Sequence, residues 1–127
     1  MSGNEIISFL GKDWTELQRL IREALSSDIS LLQKVNDKLY SRAGKQLRPM
    51  VSLLMARACS ADGRANADSC HFAAAAELLH NATLLHDDVA DSGTIRRGMP
   101  TLSAEMGPTA AVLVGDYWLS SAVNTVL

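Results

Sequence analysis

Residues 67–91 read Ala67-Asp68-Ser69-Cys70-His71-Phe72-Ala73-Ala74-Ala75-Ala76-Glu77-Leu78-Leu79-His80-Asn81-Ala82-Thr83-Leu84-Leu85-His86-Asp87-Asp88-Val89-Ala90-Asp91. The run Ala73–Ala76 is built from the strongest helix former, and the whole stretch predicts one long helix. Asp87 and Asp91 stand one turn apart, with Asp88 three residues before Asp91, so the carboxylates gather beside one another on its last turns. Like charges at that spacing cost a few tenths of a kcal/mol, and helix C-termini disfavour negative charge. A solvated acidic helix end is the plain alternative; a shared divalent cation accounts better for three acids kept together.

The chain continues Ser92-Gly93-Thr94-Ile95-Arg96-Arg97-Gly98-Met99-Pro100, a predicted loop carrying an arginine pair. Mg²⁺ favours one or two carboxylates plus phosphate oxygens over an all-protein cage, and guanidinium groups grip phosphate in bidentate fashion. Carboxylates followed by paired arginines are therefore chemistry for handling a diphosphate.

Outward from this stretch the pattern stays helical. Trp14, Leu17, Leu20, Ile21 and Leu25 recur at steps of three and four and predict a first amphipathic helix ending near Ser26-Ser27. Asp28 is placed to cap a second, with Leu31, Leu32, Val35 and Leu39 on its apolar face and Gly44 beyond it. A third spans Leu47 to Cys59, with Pro49 tolerated in its first turn. Residues 61–67 are loop-like. Thr101 starts a short helical turn, Gly107 breaks it, and Pro108 opens a last helix through Ala111, Val114, Tyr117, Trp118 and Val123. That helix is apolar on nearly all sides, which calls for burial on every face by further protein or another chain. No alternation of period two is long enough for a strand, so the expected class is all-α, an antiparallel helical bundle.

At 127 residues, 47% apolar and 20% charged, the chain has the bulk of one ordinary globular domain. Its apolar stretches are broken by Glu77, His80, Asn81 and Asp116, short of the roughly 18 uninterrupted residues of a spanning helix. No signal peptide is expected, because Glu5, Lys12 and Asp13 interrupt the N-terminal apolar residues, and a cytoplasmic setting is the default. A net charge of −2 without a basic stripe argues against a nucleic-acid binder. Cys59 and Cys70 match no metal or redox spacing and are expected as reduced, buried small hydrophobes.

Two metal motifs are excluded. Asp87 to Gly98 lacks the glycine and closing glutamate of an EF-hand, and His71, His80 and His86 do not flank a glutamate as in a zinc protease. Gly44-Lys45-Gln46-Leu47-Arg48-Pro49 places two cations across a loop-to-helix junction, where free amides favour anions. His80 lies seven residues before Asp87, on nearly the same helical face. His86 reads as a packing or supporting residue. Asp116, alone among apolar neighbours, needs a donor if buried, and the 96–97 pair is a candidate.

The order Gly44-Lys45-x-x-Arg48-Pro49, His80, Asp87-Asp88-x-x-Asp91, Arg96-Arg97-Gly98 and Gly115-Asp116 resembles the trans-isoprenyl diphosphate synthases, over most of residues 35–120. The resemblance implies the N-terminal part of the isoprenoid synthase fold, with residues 1–127 incomplete by themselves. It implies Mg²⁺ as cofactor, held by Asp87 and Asp91 with Asp88 in support. It further implies Lys45, Arg48, His80 and Arg97 as contacts of isopentenyl diphosphate, and Arg96 as the arginine on the allylic diphosphate. In that family the metal-held diphosphate leaves, the isopentenyl double bond attacks the allylic cation, and a proton is lost. Its members dimerise, so a homodimer, or a heteromer with a chain supplying the second half, is expected.

Product length follows by the same resemblance from the residues preceding Asp87. Ala82, Thr83 and, farther back, Ala76 are small, opening about 10 Å of helix wall and implying a long-chain polyprenyl product. Close helix packing is the competing explanation for these alanines. Two departures stand out: Ala43-Gly44-Lys45-Gln46 replaces the usual Gly-Gly-Lys-Arg, and the second aspartate-rich motif is missing. The isolated chain is therefore expected to be inactive. A non-catalytic small subunit that binds isoprenyl diphosphates, or a terpene cyclase fragment, are the other two functions open to such a sequence.

Overall fold

The 24-residue helix α5 (Ala67–Ala90) is the post around which the chain packs, in a computed structural model that describes residues 2–127. Before it come α1 (Gly3–Leu10), α2 (Lys12–Ala24), α3 (Ser30–Ser41) and α4 (Leu47–Cys59). After it come a minimal hairpin of β1 (Ile95–Arg96) and β2 (Met99–Pro100), then α6 (Leu102–Met106) and α7 (Pro108–Val126). The all-α expectation holds.

Alanine explains why α5 can be central. Ala73 and Ala74 are fully buried, so neighbouring helices approach its backbone closely, and Leu78 beside them is buried too. Helices α2, α4 and α7 bring Leu17, Ile21, Leu53, Ala111 and Trp118 onto this surface, and the contact of α5 with α7 is the most extensive. Replacing Leu78 by alanine would cost about 2–5 kcal/mol in transfer and cavity terms.

The His86 ring of α5 packs directly over Gly115 of α7. A Cβ there would lie 2.4 Å from His86 Nε2, so a side chain at that position would displace the imidazole. The buried Asn36 ties three elements together: its amide donates to the Leu25 carbonyl at 2.9 Å, and its oxygen accepts from Trp118 Nε1 at 2.9 Å.

Several local expectations are corrected. Helix α1 precedes the first anticipated helix, started by a capping box in which Ser2 accepts from the Glu5 amide and Glu5 accepts from the Ser2 amide. Asp28 does not cap α3; Ile29 is the N-cap, without a side-chain bond. Residues 92–100 are not simple loop, because Ile95 pairs with Pro100 and Arg96 with Met99 around a two-residue turn. Arg97 and Gly98 make that turn with φ of 52° and 75°, the doubly positive geometry that matches hairpin twist. Cys70 is buried as expected, but Cys59 is exposed. Within this chain the last helix is buried on one face, and Leu113, Leu119 and Val123 are exposed, the apolar side for which cover by further protein or another chain is expected. No helix among the described residues is long and apolar enough to cross a membrane.

Candidate functional site

The side chains singled out above fall into two groups at different levels along α5. Lys45, Arg48, His80 and Arg97 come from three separate places in the chain, and all line one cavity of about 500 Å³. The α3–α4 junction delivers the first two. Gln46 takes the left-handed conformation (φ 54°) just before α4, and Gln18 Nε2 donates to its Oε1 at 2.7 Å, so the junction is tied down to α2. Where a cation was expected to be missing, a neutral side chain thus acts as an anchor.

Arg97 reaches the same cavity from the hairpin turn. Its NH1 donates to the Arg42 carbonyl at 3.2 Å, and its guanidinium lies over Gly44. A Cβ on Gly44 would fall 2.5 Å from Arg97 NH2, so a side chain there would push the guanidinium out of its present position. Arg97 has no carboxylate partner among the described residues, which leaves its charge available to an anion. Burial and the neighbouring Arg48 lower the pKa of His80, which favours its neutral imidazole.

Glu77 also lines this cavity, 5% exposed, and it escaped notice as one acid in an alanine-rich helix. Asn81 Nδ2 donates to its Oε1 at 3.0 Å. The only sequence signal for Glu77 was an uncompensated acid on an apolar face.

The second group lies at the C-terminal end of α5. Asp87 and Asp91 are exposed, and neither side chain has a hydrogen-bond or ion-pair partner among the described residues. Asp88 is turned inward, 9% exposed, and bound by Arg96: NH2 donates to Oδ1 at 2.6 Å, and Nε donates to both carboxylate oxygens. That pairing, first among the causes, raises the already high pKa of Arg96. The three aspartates are therefore not equivalent. Two face water, and one orients an arginine whose NH1 remains unpaired.

No group of three or more His, Cys, Asp or Glu side chains that could cage a metal is present among the described residues. Two unpartnered carboxylates one helical turn apart instead suit a hard cation that takes its remaining ligands from water and phosphate oxygens. Asp116 departs from expectation. It is exposed, and pairs with His86 Nε2 at 3.1 Å rather than with either arginine. Thr83 faces out on α5, with its hydroxyl donating to the His80 carbonyl at 2.6 Å, whereas Ala82 is buried in the core at 2% exposure. Of these two, only Thr83 borders the open side of the helix.

Comparison with known proteins gives consistent matches. The family model for polyprenyl synthetase matches residues 29–127. An all-trans-nonaprenyl-diphosphate synthase (geranyl-diphosphate specific) of Rhodobacter capsulatus is 36% identical over 123 residues, 97% of this chain and 37% of that protein. Octaprenyl diphosphate synthase of Escherichia coli is 39% identical over 117 residues, 92% of this chain and 35% of that one. Among solved structures, a polyprenyl synthase from Caulobacter crescentus complexed with calcium and isoprenyl diphosphate superposes with a TM-score of 0.86 at 34% identity. It is matched over 98% of this chain and 37% of its own. The chain thus spans a little over a third of the length of each of these proteins.

Proposed function

We infer that this chain, which belongs to the polyprenyl synthetase family, contributes the N-terminal, diphosphate-binding part of a trans-prenyltransferase that joins isopentenyl diphosphate to an allylic diphosphate. The observation that carries the inference is the separation of two anion-handling groups along α5. Lys45, Arg48, His80 and Arg97 surround one cavity, while Asp87, Asp91 and the Asp88-bound Arg96 sit beyond it towards the helix end. Two diphosphates need two such places.

Each residue then has a task set by its surroundings. Lys45, Arg48 and Arg97 bind the diphosphate of the isopentenyl substrate, and the neutral His80 adds a hydrogen bond without deepening the positive potential. Asp87 and Asp91 would hold Mg²⁺, which supplies charge neutralisation for the departing diphosphate. Arg96, kept in orientation by Asp88, directs its free NH1 to the same leaving group, where a preset donor counts most.

Product length is assigned to the exposed stripe Phe72, Ala76, Leu79, Thr83 leading to Asp87. Thr83 and Ala76 are small, and the first aromatic on the stripe is Phe72, about 22 Å from Asp87 along the axis. That length favours a long-chain product.

Titration with inorganic diphosphate tests the inference directly. Binding should have a component that requires Mg²⁺ and disappears in Asp87→Ala, and one that needs no metal and disappears in Lys45→Ala/Arg48→Ala. If one substitution abolished both components, or neither did, the two-site reading would fall.

A further inference from the structure

We propose that Glu77 makes the cavity at the α3–α4 junction selective for an oxyanion that still carries a proton, a hydrogen phosphate or hydrogen diphosphate group, over sulfate-like anions of the same shape and charge. The inference rests on reading this cavity as an anion site. It adds a residue that chooses among anions to those that attract them.

Three cations and one carboxylate line the cavity without pairing with one another. Lys45, Arg48 and Arg97 have no ion-pair partner among the described residues, and neither has Glu77. A carboxylate present only to offset those cations would sit against them. Glu77 is instead held by Asn81, one turn further along α5, whose Nδ2 donates to the Glu77 carbonyl at 2.8 Å and to its Oε1 at 3.0 Å. The other oxygen, Oε2, accepts from no residue. No wholly buried side-chain oxygen or nitrogen among the described residues lacks a partner, so Oε2 of this 5% exposed residue opens on the cavity.

The cavity thus presents donors from the α3–α4 junction and the hairpin, and a bare acceptor from α5. An ionised carboxylate oxygen can only accept. An anion without a proton that reaches Oε2 sets two acceptors face to face where little water can intervene, and buried polar groups left unpaired are costly. A protonated phosphate oxygen donates to Oε2 while the remaining oxygens accept from Lys45, Arg48 and Arg97, and each of these bonds is charge-assisted. His80 can donate or accept and does not discriminate. A site that needs a hydrogen bond completed rejects the analogue that cannot complete it.

Four tetrahedral dianions are the probes at about pH 8.5, titrated calorimetrically after removal of divalent cations. Phosphate and arsenate each keep one proton there, whereas sulfate and selenate have none. The chain should bind the first two about tenfold or more tightly than the second two, a comparison that needs no variant to fold. In Glu77→Gln the amide oxygen takes over the bond from Asn81 and the NH2 group replaces Oε2. Sulfate should then tighten at least threefold, and the preference for phosphate should shrink to less than about threefold. Lys45→Ala/Arg48→Ala should weaken all four anions at least tenfold. Equal binding of phosphate and sulfate by the unsubstituted chain, or a preference that persists in Glu77→Gln, overturns this inference while the cavity remains an anion site. Failure of these anions and of inorganic diphosphate to bind, or binding untouched by Lys45→Ala/Arg48→Ala, overturns the anion site and this inference with it.

Discussion

Arg96 grips Asp88 with a fork, NH2 donating to Oδ1 at 2.6 Å and Nε to Oδ1 and Oδ2 at 3.1 and 3.0 Å. The pair fastens the hairpin to the last turn of α5. Lysine has one point of attachment and cannot reproduce the fork. Arg96→Lys should therefore lower stability by about 1–2 kcal/mol, the modest figure reflecting a partly solvated guanidinium. Amide exchange at Arg96 and Met99 should accelerate, and unchanged exchange would show that the hairpin does not depend on the pair.

Asp87 and Asp91 have no protein partners to lose. Asp87→Ala should leave the thermal midpoint unchanged or raise it slightly, because a like-charge neighbour is removed. In an assembly competent for turnover, the same substitution should reduce Mg²⁺-dependent prenyl transfer by about a hundredfold or more. Thermal melts and product assays on one preparation check both halves.

Thr83→Phe should place an aromatic ring on the exposed stripe of α5. Products of a turnover-competent assembly should shorten, while Ala82→Phe should instead destabilise the fold by about 1–3 kcal/mol, because Ala82 is buried in the core. Chromatography of the products and urea melts separate the two effects.

His80 gives a pH dependence whose sign is fixed. Burial and Arg48 depress its folded pKa below the ordinary value, so its contribution to stability is fully present above about pH 6.5 and is lost as pH falls through the lower folded value. A bound diphosphate supplies the missing counter-charge, so its pKa should rise on adding inorganic diphosphate. An imidazole proton resonance followed by pH with and without the ligand reads both; a value that does not move would remove His80 from the anion site.

Asn36 should be the most sensitive polar position in the core. Asn36→Leu leaves Trp118 Nε1 and the Leu25 carbonyl without their partner, at a cost of about 2–3 kcal/mol in total. A urea midpoint is the measurement, and tryptophan fluorescence should shift with it.

Periodicity and capping chemistry made the major helices legible. The bounds of α4 match the expectation, and α5 differs by one residue, because a run of alanines or of spaced leucines permits little else. Helix α1 is less visible, since its eight residues carry only a capping box and a short apolar face. The hairpin has two residues per strand, too few for alternation, and its Arg-Gly turn lacks the usual asparagine or aspartate. In the site, the order and spacing of Lys45, Arg48, His80 and the arginine pair marked them as candidates for anion chemistry, and four of the five line one cavity. It did not show that Asp88 turns inward, that Asp116 pairs with His86, or that Glu77 lines the same cavity as the cations. Those facts depend on which elements cross above each side chain, which is set by packing between residues distant in the chain.

Arg97 borders both the cavity lined by Lys45, Arg48 and His80 and the one lined by Leu39, Leu84 and Trp118. One guanidinium therefore adds its positive potential to two chambers at once, from a hairpin turn and with no movement of the helices between them.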